Sequence, residues 1–242
     1  MAILQTKTKA LSNQSDVSDV TAVILAAGSS SRMGTDKQFL PIAGVPCIAR
    51  SILAFERHPQ IKSIIVVTKK QRILDIQNLC ERYEITKLTD IIEGGDTRFL
   101  SVKNALPYVG TEYLVIHDGA RPLVSKRVIS DVIEAAAGCG GAIPCMPVTD
   151  TVKTVDKSGY VIKTLDRSTL AGVQTPQGFV TEDYKAAAAQ NQDDLITDDS
   201  AVFENAGYRV KTVRGSYHNI KITVMEDILT AENIIKKTGE IL

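Results

Sequence analysis

Short apolar runs rich in β-branched residues alternate with amphipathic helical stretches through most of this chain, which leaves few architectures open. A strand, a covering helix and another strand in succession build a parallel sheet flanked by helices. The pattern predicts strands over 22–27, 63–68, 90–93, 113–117 and 141–148, and helices over 46–55, 101–106, 128–137 and 225–236. In the first helix Ile48, Ile52 and Phe55 share one face. The last opens on Thr223-Val224-Met225-Glu226, where a hydroxyl and a carboxylate suit a capping box. Just before it, 219–223 reads as a short strand. That would put Lys221 in a strand interior, a costly place for a lysine unless it meets an anion.

One segment breaks the alternation. From Thr149 to Asp166, two polar-apolar alternating runs surround Lys157-Ser158-Gly159, which predicts a hairpin with its turn at the glycine. The segment has few large apolar groups, and an isolated two-stranded hairpin is marginal in water. An arm over about 147–168 therefore has to lean on something else, most simply the same arm of a second copy. The 242 residues accommodate one domain over 21–242, preceded by a polar tail over 1–20 expected to be flexible.

Lys plus Arg equals Asp plus Glu, 28 against 28, without basic runs. A protein that coats nucleic acid needs many cations to neutralise phosphates, so no nucleic-acid partner is expected, and a small anionic ligand held by local cations fits better. Cys47, Cys80, Cys139 and Cys145 form no Cys-x-x-Cys pair, which favours free thiols in a reducing cytoplasm. The tail lacks the apolar core of a signal peptide, and no apolar run approaches the roughly 20 residues of a membrane span.

The residues that could carry chemistry lie where strands end. Ala22 to Ala27 breaks at Gly28 into small and hydroxylated residues, followed by Arg32 and Lys37. Small residues let the backbone approach a nucleotide and aim N–H groups at phosphates, while the cations neutralise the remaining charge. Gly94-Gly95-Asp96-Thr97-Arg98 also follows a strand, where Asp96 could meet a base or ribose. In His117-Asp118-Gly119-Ala120-Arg121-Pro122, Asp118 suits either a Mg²⁺ ligand or a brace paired with Arg121. His117 reads as a packed, hydrogen-bonded residue. Further along stand Asp166-Arg167, Gln174-Thr175-Pro176-Gln177 and Ile196-Thr197-Asp198-Asp199. A surface ion pair is the plainer reading of Arg167.

In this order and spacing, Leu25-Ala26-Ala27-Gly28, Arg32 and Lys37, Gly95-Asp96, 117–122, Asp150-Thr151, Asp166-Arg167, 174–177, Thr197-Asp198 and Asn219-Ile220-Lys221 resemble the 2-C-methyl-D-erythritol 4-phosphate cytidylyltransferases over about residues 21 to 237. The resemblance implies a Rossmann-like nucleotidyltransferase: an α/β fold, a mostly parallel sheet flanked by helices, and a protruding β-arm for dimerisation. It also implies transfer of CMP from CTP to methylerythritol phosphate with Mg²⁺, in a cytoplasmic homodimer of the non-mevalonate isoprenoid pathway. Arg32, Lys37 and Lys221 match the family's catalytic cations. Ala26, Ala27, Gly28, Gly95, Asp96, Ser101, Asp118 and Gly119 match nucleotide-binding positions, with the metal at Asp118. Thr151, Arg167, Thr175 and Thr197 match acceptor-side positions, the first two reached from the partner subunit. Family members often carry an acidic residue where this chain has His218, and a neutral imidazole does not replace a carboxylate on Mg²⁺. The alternatives are a ribitol 5-phosphate cytidylyltransferase on the same fold and a nucleotide-binding regulator without turnover.

Overall fold

The computed structural model describes residues 17–28 and 37–239, with the side chain of Lys37 excepted. Arg32 and most of the expected tail lie outside the described residues. Strand β1 (Val20–Leu25) is buried at every position. Its one polar side chain, Thr21, is satisfied by the hydroxyls of Ser63 at 2.8 Å and Thr111 at 2.7 Å, as a buried hydroxyl requires. A 3₁₀ turn over Lys37–Phe39 and the short pair β2 (Pro41–Ile42) and β3 (Val45–Pro46) lead into α1 (Cys47–Glu56).

There follow β4 (Ile61–Thr68), α2 (Ile73–Arg82), β5 (Leu88–Glu93), α3 (Arg98–Ala105), β6 (Tyr113–Asp118), α4 (Lys126–Cys139) and β7 (Gly141–Pro147). The α4 segment shows why the pattern works. The Ser125 hydroxyl caps the N–H of Val128, and Val128, Ile129, Val132, Ile133 and Ala136 form its buried stripe. Gly140, at φ 91°, ends the helix in a conformation that L side chains rarely adopt.

Strands β1, β4, β5 and β6 run parallel in the order β6-β1-β4-β5. Alternate residues of β1 serve opposite faces, as strand geometry demands. Val20, Ala22 and Ile24 pack in one core with side chains of α1, α2 and α4. Val23 and Leu25 pack in the other, with α3, α5 (Thr181–Gln190) and α6 (Asp199–Asn205). Beyond β6 lie β11 (Gln177–Val180), β7 and β10 (Ala171–Val173), with β12 (Lys211–Arg214) on β7. The alternation of elements did not foretell β11, which sits antiparallel between β6 and β7. Room for it comes from Gly178, where a Cβ would stand 2.7 Å from Val132 of α4.

Strands β8 (Lys153–Val155) and β9 (Val161–Thr164) form a separate antiparallel ribbon whose turn holds Gly159 at φ 87°. The final helix, α7 (Met225–Thr238), covers a small third cluster around Ile42, Leu123 and Ile222. Its capping carboxylate is Asp227 rather than Glu226, since Asp227 Oδ2 accepts from Thr223 N, Thr223 Oγ1 and Val224 N. The expected strand over 219–223 is absent. Its backbone is engaged one group at a time instead: Ile222 N donates to Ala120 O, and Asn219 O accepts from Arg121 Nη1 at 2.8 Å. No helix among the described residues is long and apolar enough to cross a membrane.

Away from the sheet edges, burial and the nearby ammonium groups of Lys126 and Lys87 push the His58 imidazole down to about 4. An unfolded chain binds that proton near pH 6.5, so His58 contributes stability above pH 6.5 that is lost as pH falls toward 4. Thermal melts between pH 7.5 and 4.5 should show this loss. His58→Gln, which can keep the bond to Ser130, should flatten the slope, and an unchanged slope would contradict the assignment.

Candidate functional site

The parallel strands β1, β4, β5 and β6 end at one edge of the sheet, and the loops that leave it converge there. A cleft of about 450 Å³ opens at that edge, lined by Ala27 and Gly28 after β1, Gly95, Asp96 and Thr97 after β5, Arg98 and Ser101 of α3, Asp118, and Lys221. This size suits a nucleotide-sized ligand. The loops approach so closely that two glycines are obligatory by space. A Cβ on Gly94 would lie 2.3 Å from the Ala27 Cβ, and one on Gly119 would lie 2.6 Å from Ile48 Cδ1 and 3.0 Å from Leu25 O.

Below this rim, Ala26 N donates to Val67 O, which ties the end of β1 to β4, and Gly119 N donates to Leu25 O, which ties the end of β6 to β1. Ser101 Oγ donates to Thr97 O and accepts from Gly95 N, so it holds the turn after β5 in shape. The Thr97 hydroxyl caps α3 by accepting from Leu100 N.

Asp118 is the electrostatic centre. Its side chain is 11% exposed, and three cations face it: Lys221 Nζ at 2.9 Å, Arg121 Nε at 3.5 Å and Arg98 Nε at 3.5 Å. Burial opposes ionisation of this carboxyl, but Arg98, Lys221 and Arg121 together overcome it and hold Asp118 well below the usual carboxylate range. Arg98 carries a second, tighter bond, from Nη2 to Asp199 Oδ2 at 2.7 Å. Behind Asp118, Thr175 Oγ1 accepts from Asp118 N at 3.1 Å and meets His117 Nδ1 at 3.0 Å. The other ring nitrogen of His117 pairs with Arg121 O, and burial pushes this imidazole down to about 4. It is the neutral, packed residue anticipated.

The sequence-predicted residues divide accordingly. Ala27, Gly28, Gly95, Asp96, Ser101, Asp118 and Lys221 line the cleft, while Ala26 and Gly119 are chain neighbours of lining residues and spend their N–H groups on Val67 O and Leu25 O. Thr175 is buried, and its hydroxyl braces Asp118 instead of lining the cleft. Thr151 and Arg167 are exposed at the base of the β8–β9 ribbon, where an Arg167 guanidinium N–H donates to Thr149 O; Asp166 bonds Ser168 instead. Thr197 is exposed beside Asp198, the N-cap of α6. None of these three belongs to the cleft lining of a single chain. Arg32 lies outside the described residues. Of Lys37 only the backbone is described, in the 3₁₀ turn beside the cleft residue Gln38. His218 is exposed and lies in a separate hollow with Arg127 and Arg214.

The model of one protein family, IspD: 2-C-methyl-D-erythritol 4-phosphate cytidylyltransferase, matches residues 20–237. The chain belongs to this family. A Bacillus cereus protein of that name is 43% identical over 221 residues, which cover 89% of this chain and 97% of the relative. One from Caldanaerobacter subterraneus subsp. tengcongensis is 42% identical over 226 residues, 90% of this chain and all of the relative. The crystal structure of 4-diphosphocytidyl-2C-methyl-D-erythritol synthase from Anaerococcus prevotii superposes with a TM-score of 0.81 at 30% identity, covering 93% of this chain and 100% of that one. The cytidylyltransferase from Thermus thermophilus gives a TM-score of 0.74 at 28% identity, with 88% and 98% covered.

Within this family fold, sequence reasoning placed Asp118 and Lys221 but missed the partners that set their geometry. Arg98 was visible only as the end of the Gly94–Arg98 cluster. Its partner Asp199 is 101 residues away, and no local pattern joins the two. Asn219 is fully buried, and its side-chain N–H donates to Thr175 O at 2.8 Å, fixing the start of the segment that carries Lys221.

Removing the central carboxylate should leave three cations facing one another. Asp118→Asn is expected to cost about 3–5 kcal/mol of stability. In thermal melts the variant should recover part of that loss with added sulfate, whereas a melting temperature equal to wild type would contradict the role of Asp118 as counter-charge.

Proposed function

We propose that this chain transfers CMP from CTP to 2-C-methyl-D-erythritol 4-phosphate, giving 4-diphosphocytidyl-2-C-methyl-D-erythritol and pyrophosphate in the non-mevalonate isoprenoid pathway. The observation that carries this reading is the cleft at the sheet edge, with Lys221, Arg98 and Arg121 gathered around Asp118. Membership of the cytidylyltransferase family supplies the identity of the two substrates. In the reaction, an oxygen of the acceptor phosphate forms a bond to the α-phosphorus of CTP. The bond from that phosphorus to the bridging oxygen breaks, and its electron pair leaves with pyrophosphate. The attacking phosphate is already nucleophilic at neutral pH. The protein's task is therefore to bring two polyanions together and stabilise the charge that crowds around one phosphorus.

Each group has a place in that task. The small residues Ala26, Ala27, Gly28, Gly95 and Gly119 admit cytosine, ribose and phosphates to backbone groups, with Asp96 and Ser101 beside them. Lys221 exchanges its bond to Asp118 for an α-phosphate oxygen, and Lys37 and Arg32 are assigned to the triphosphate through their match to the family's cations. Thr175 holds the Asp118 backbone in place. The donor set also suits Mg²⁺. Asp118 is an ionised carboxylate that lines the cleft, and no cluster of three or more His, Cys, Asp or Glu occurs among the described residues to form an all-protein cage. A cation held mainly by phosphate and water needs no such cage. Bound there, Mg²⁺ would neutralise triphosphate charge.

The acceptor side is completed by a second copy. Val155, Tyr160, Val161 and Ile162 are 57%, 75%, 60% and 68% exposed on the β8–β9 ribbon, an apolar surface that a second ribbon would cover. Thr151 and Arg167 at its base then reach the partner's cleft, where a guanidinium fork suits the acceptor phosphate. Thr197, on the turn before α6, is assigned to the acceptor side as well. The enzyme works in the cytoplasm.

Lys37→Ala should leave a folded dimer. Its turnover should fall roughly 30- to 900-fold, the equivalent of about 2–4 kcal/mol at the transition state. A pyrophosphate-release assay with CTP, Mg²⁺ and either methylerythritol phosphate or ribitol 5-phosphate checks this. Near-normal release by the variant contradicts the reading, and a preference for ribitol 5-phosphate reassigns the acceptor.

A further inference from the structure

Asp199 is a buried carboxylate outside the cleft, and its side chain is 1% exposed. Its Oδ2 lies 2.7 Å from Arg98 Nη2, and its Oδ1 accepts from the Tyr184 hydroxyl at 3.1 Å. Its own N–H donates to Gln177 Oε1 at 3.0 Å, which fixes the start of α6. Burying an ion pair costs desolvation that the attraction often only repays, so stability alone does not account for placing a charge here. The geometry at Arg98 supplies another reason.

Arg98 stands between two carboxylates and serves them unequally. Its bond to Asp199 has the length of a charge-assisted hydrogen bond, while its approach to Asp118 Oδ1 is 3.5 Å. Arg98 also lines the cleft. Were Asp199 neutral, its hold on Arg98 would lose the charge-assisted part of the bond, and the guanidinium would be freer to close on Asp118 or to swing toward a bound phosphate. The local balance is three cations, Arg98, Arg121 and Lys221, against two carboxylates. Loss of either carboxylate leaves the cations to compete for the other.

We propose that Asp199 is a positioning residue for the transfer reaction. By tethering the Arg98 guanidinium in the cleft wall, it leaves Asp118 shared among Arg98, Arg121 and Lys221 instead of captured by one arginine. This inference rests on the nucleotidyl-transfer reading above. Asp199 touches neither substrate, so it acts through Arg98 and then Asp118. It also opens the helix that follows Thr197 and Asp198, which ties the turn on the acceptor side to the wall of the nucleotide cleft.

The experiment compares steady-state kinetics of wild type, Asp199→Asn, Asp199→Glu, Arg98→Lys and the Asp199→Asn/Arg98→Lys double variant, with thermal melts of each. A misplaced guanidinium disturbs orientation in the transition state more than ground-state binding. Asp199→Asn should therefore lose about 10- to 100-fold in kcat while KM for CTP stays within about threefold. Asp199→Glu keeps the charge and should recover most of the loss. Arg98→Lys keeps the charge but loses the fork, so it should reproduce the defect and serve as the test if Asp199→Asn does not fold. The double variant should be no worse than the poorer single one, because the pair acts as a unit. An active wild type with Asp199→Asn equal to it in kcat, or with defects that multiply in the double variant, overturns the inference alone. A wild type that releases no pyrophosphate with either acceptor overturns the inference together with the reading beneath it.

Discussion

The site is organised by one buried carboxylate that is outnumbered by its counter-charges. Asp118 sits at the end of β6 with Lys221, Arg121 and Arg98 around it, and each cation arrives on a different segment. Such a gathering is unfavourable unless each charge is matched or a ligand completes the set. Asp118 matches part of it and Asp199 another part, so within this ion-paired cluster the three cations outnumber the two carboxylates by one. Arg98 and Lys221 of the cluster line an open cleft that also holds Asp96. An anion fits where that excess points. In this sense the resting structure already holds the electrostatic demand that a triphosphate would satisfy.

The fold makes the gathering possible. Parallel strands deliver the loops after β1, β5 and β6 to one edge, and the antiparallel β11 brings Thr175 and Gln177 behind them. Thr175 fixes the Asp118 backbone, Gln177 Oε1 accepts from the N–H groups of Asp199 and Ser200, and Asn219 fixes the segment bearing Lys221. These are short, buried, neutral hydrogen bonds, and they hold the charged groups in place without adding charge. The two hydrophobic cores on either side of the sheet supply the rigidity against which they work.

Much of this was legible in the chain. Alternating apolar runs located the parallel strands, and residues clustered at their ends located the cleft, because a strand's end is where an open α/β sheet presents ligands. Other parts carried weak local signals. Helix α5 is alanine-rich, so its buried face shows little hydrophobic contrast, and α2 buries only Ile76, Leu79 and Cys80 among charged neighbours. Strand β11 is short and contains Gly178, which reads as a turn residue until α4 is seen against it. The segment 219–223 has the alternation of a strand, yet side chains of Arg121 and Asn219 take up backbone contacts that a ladder would use. The Arg98–Asp199 pair depends on tertiary proximity alone, and no spacing rule reaches across it.

The central claim is that the bond between Lys221 and Asp118 is a resting contact that a nucleotide phosphate replaces. A crystal structure of the protein with CTP and Mg²⁺ measures this directly. Lys221 Nζ should lie within hydrogen-bond distance of an α-phosphate oxygen, with Arg98 still bonded to Asp199. A nucleotide bound elsewhere, or bound in the cleft with Lys221 still closed on Asp118 and no phosphate in reach, would contradict the account.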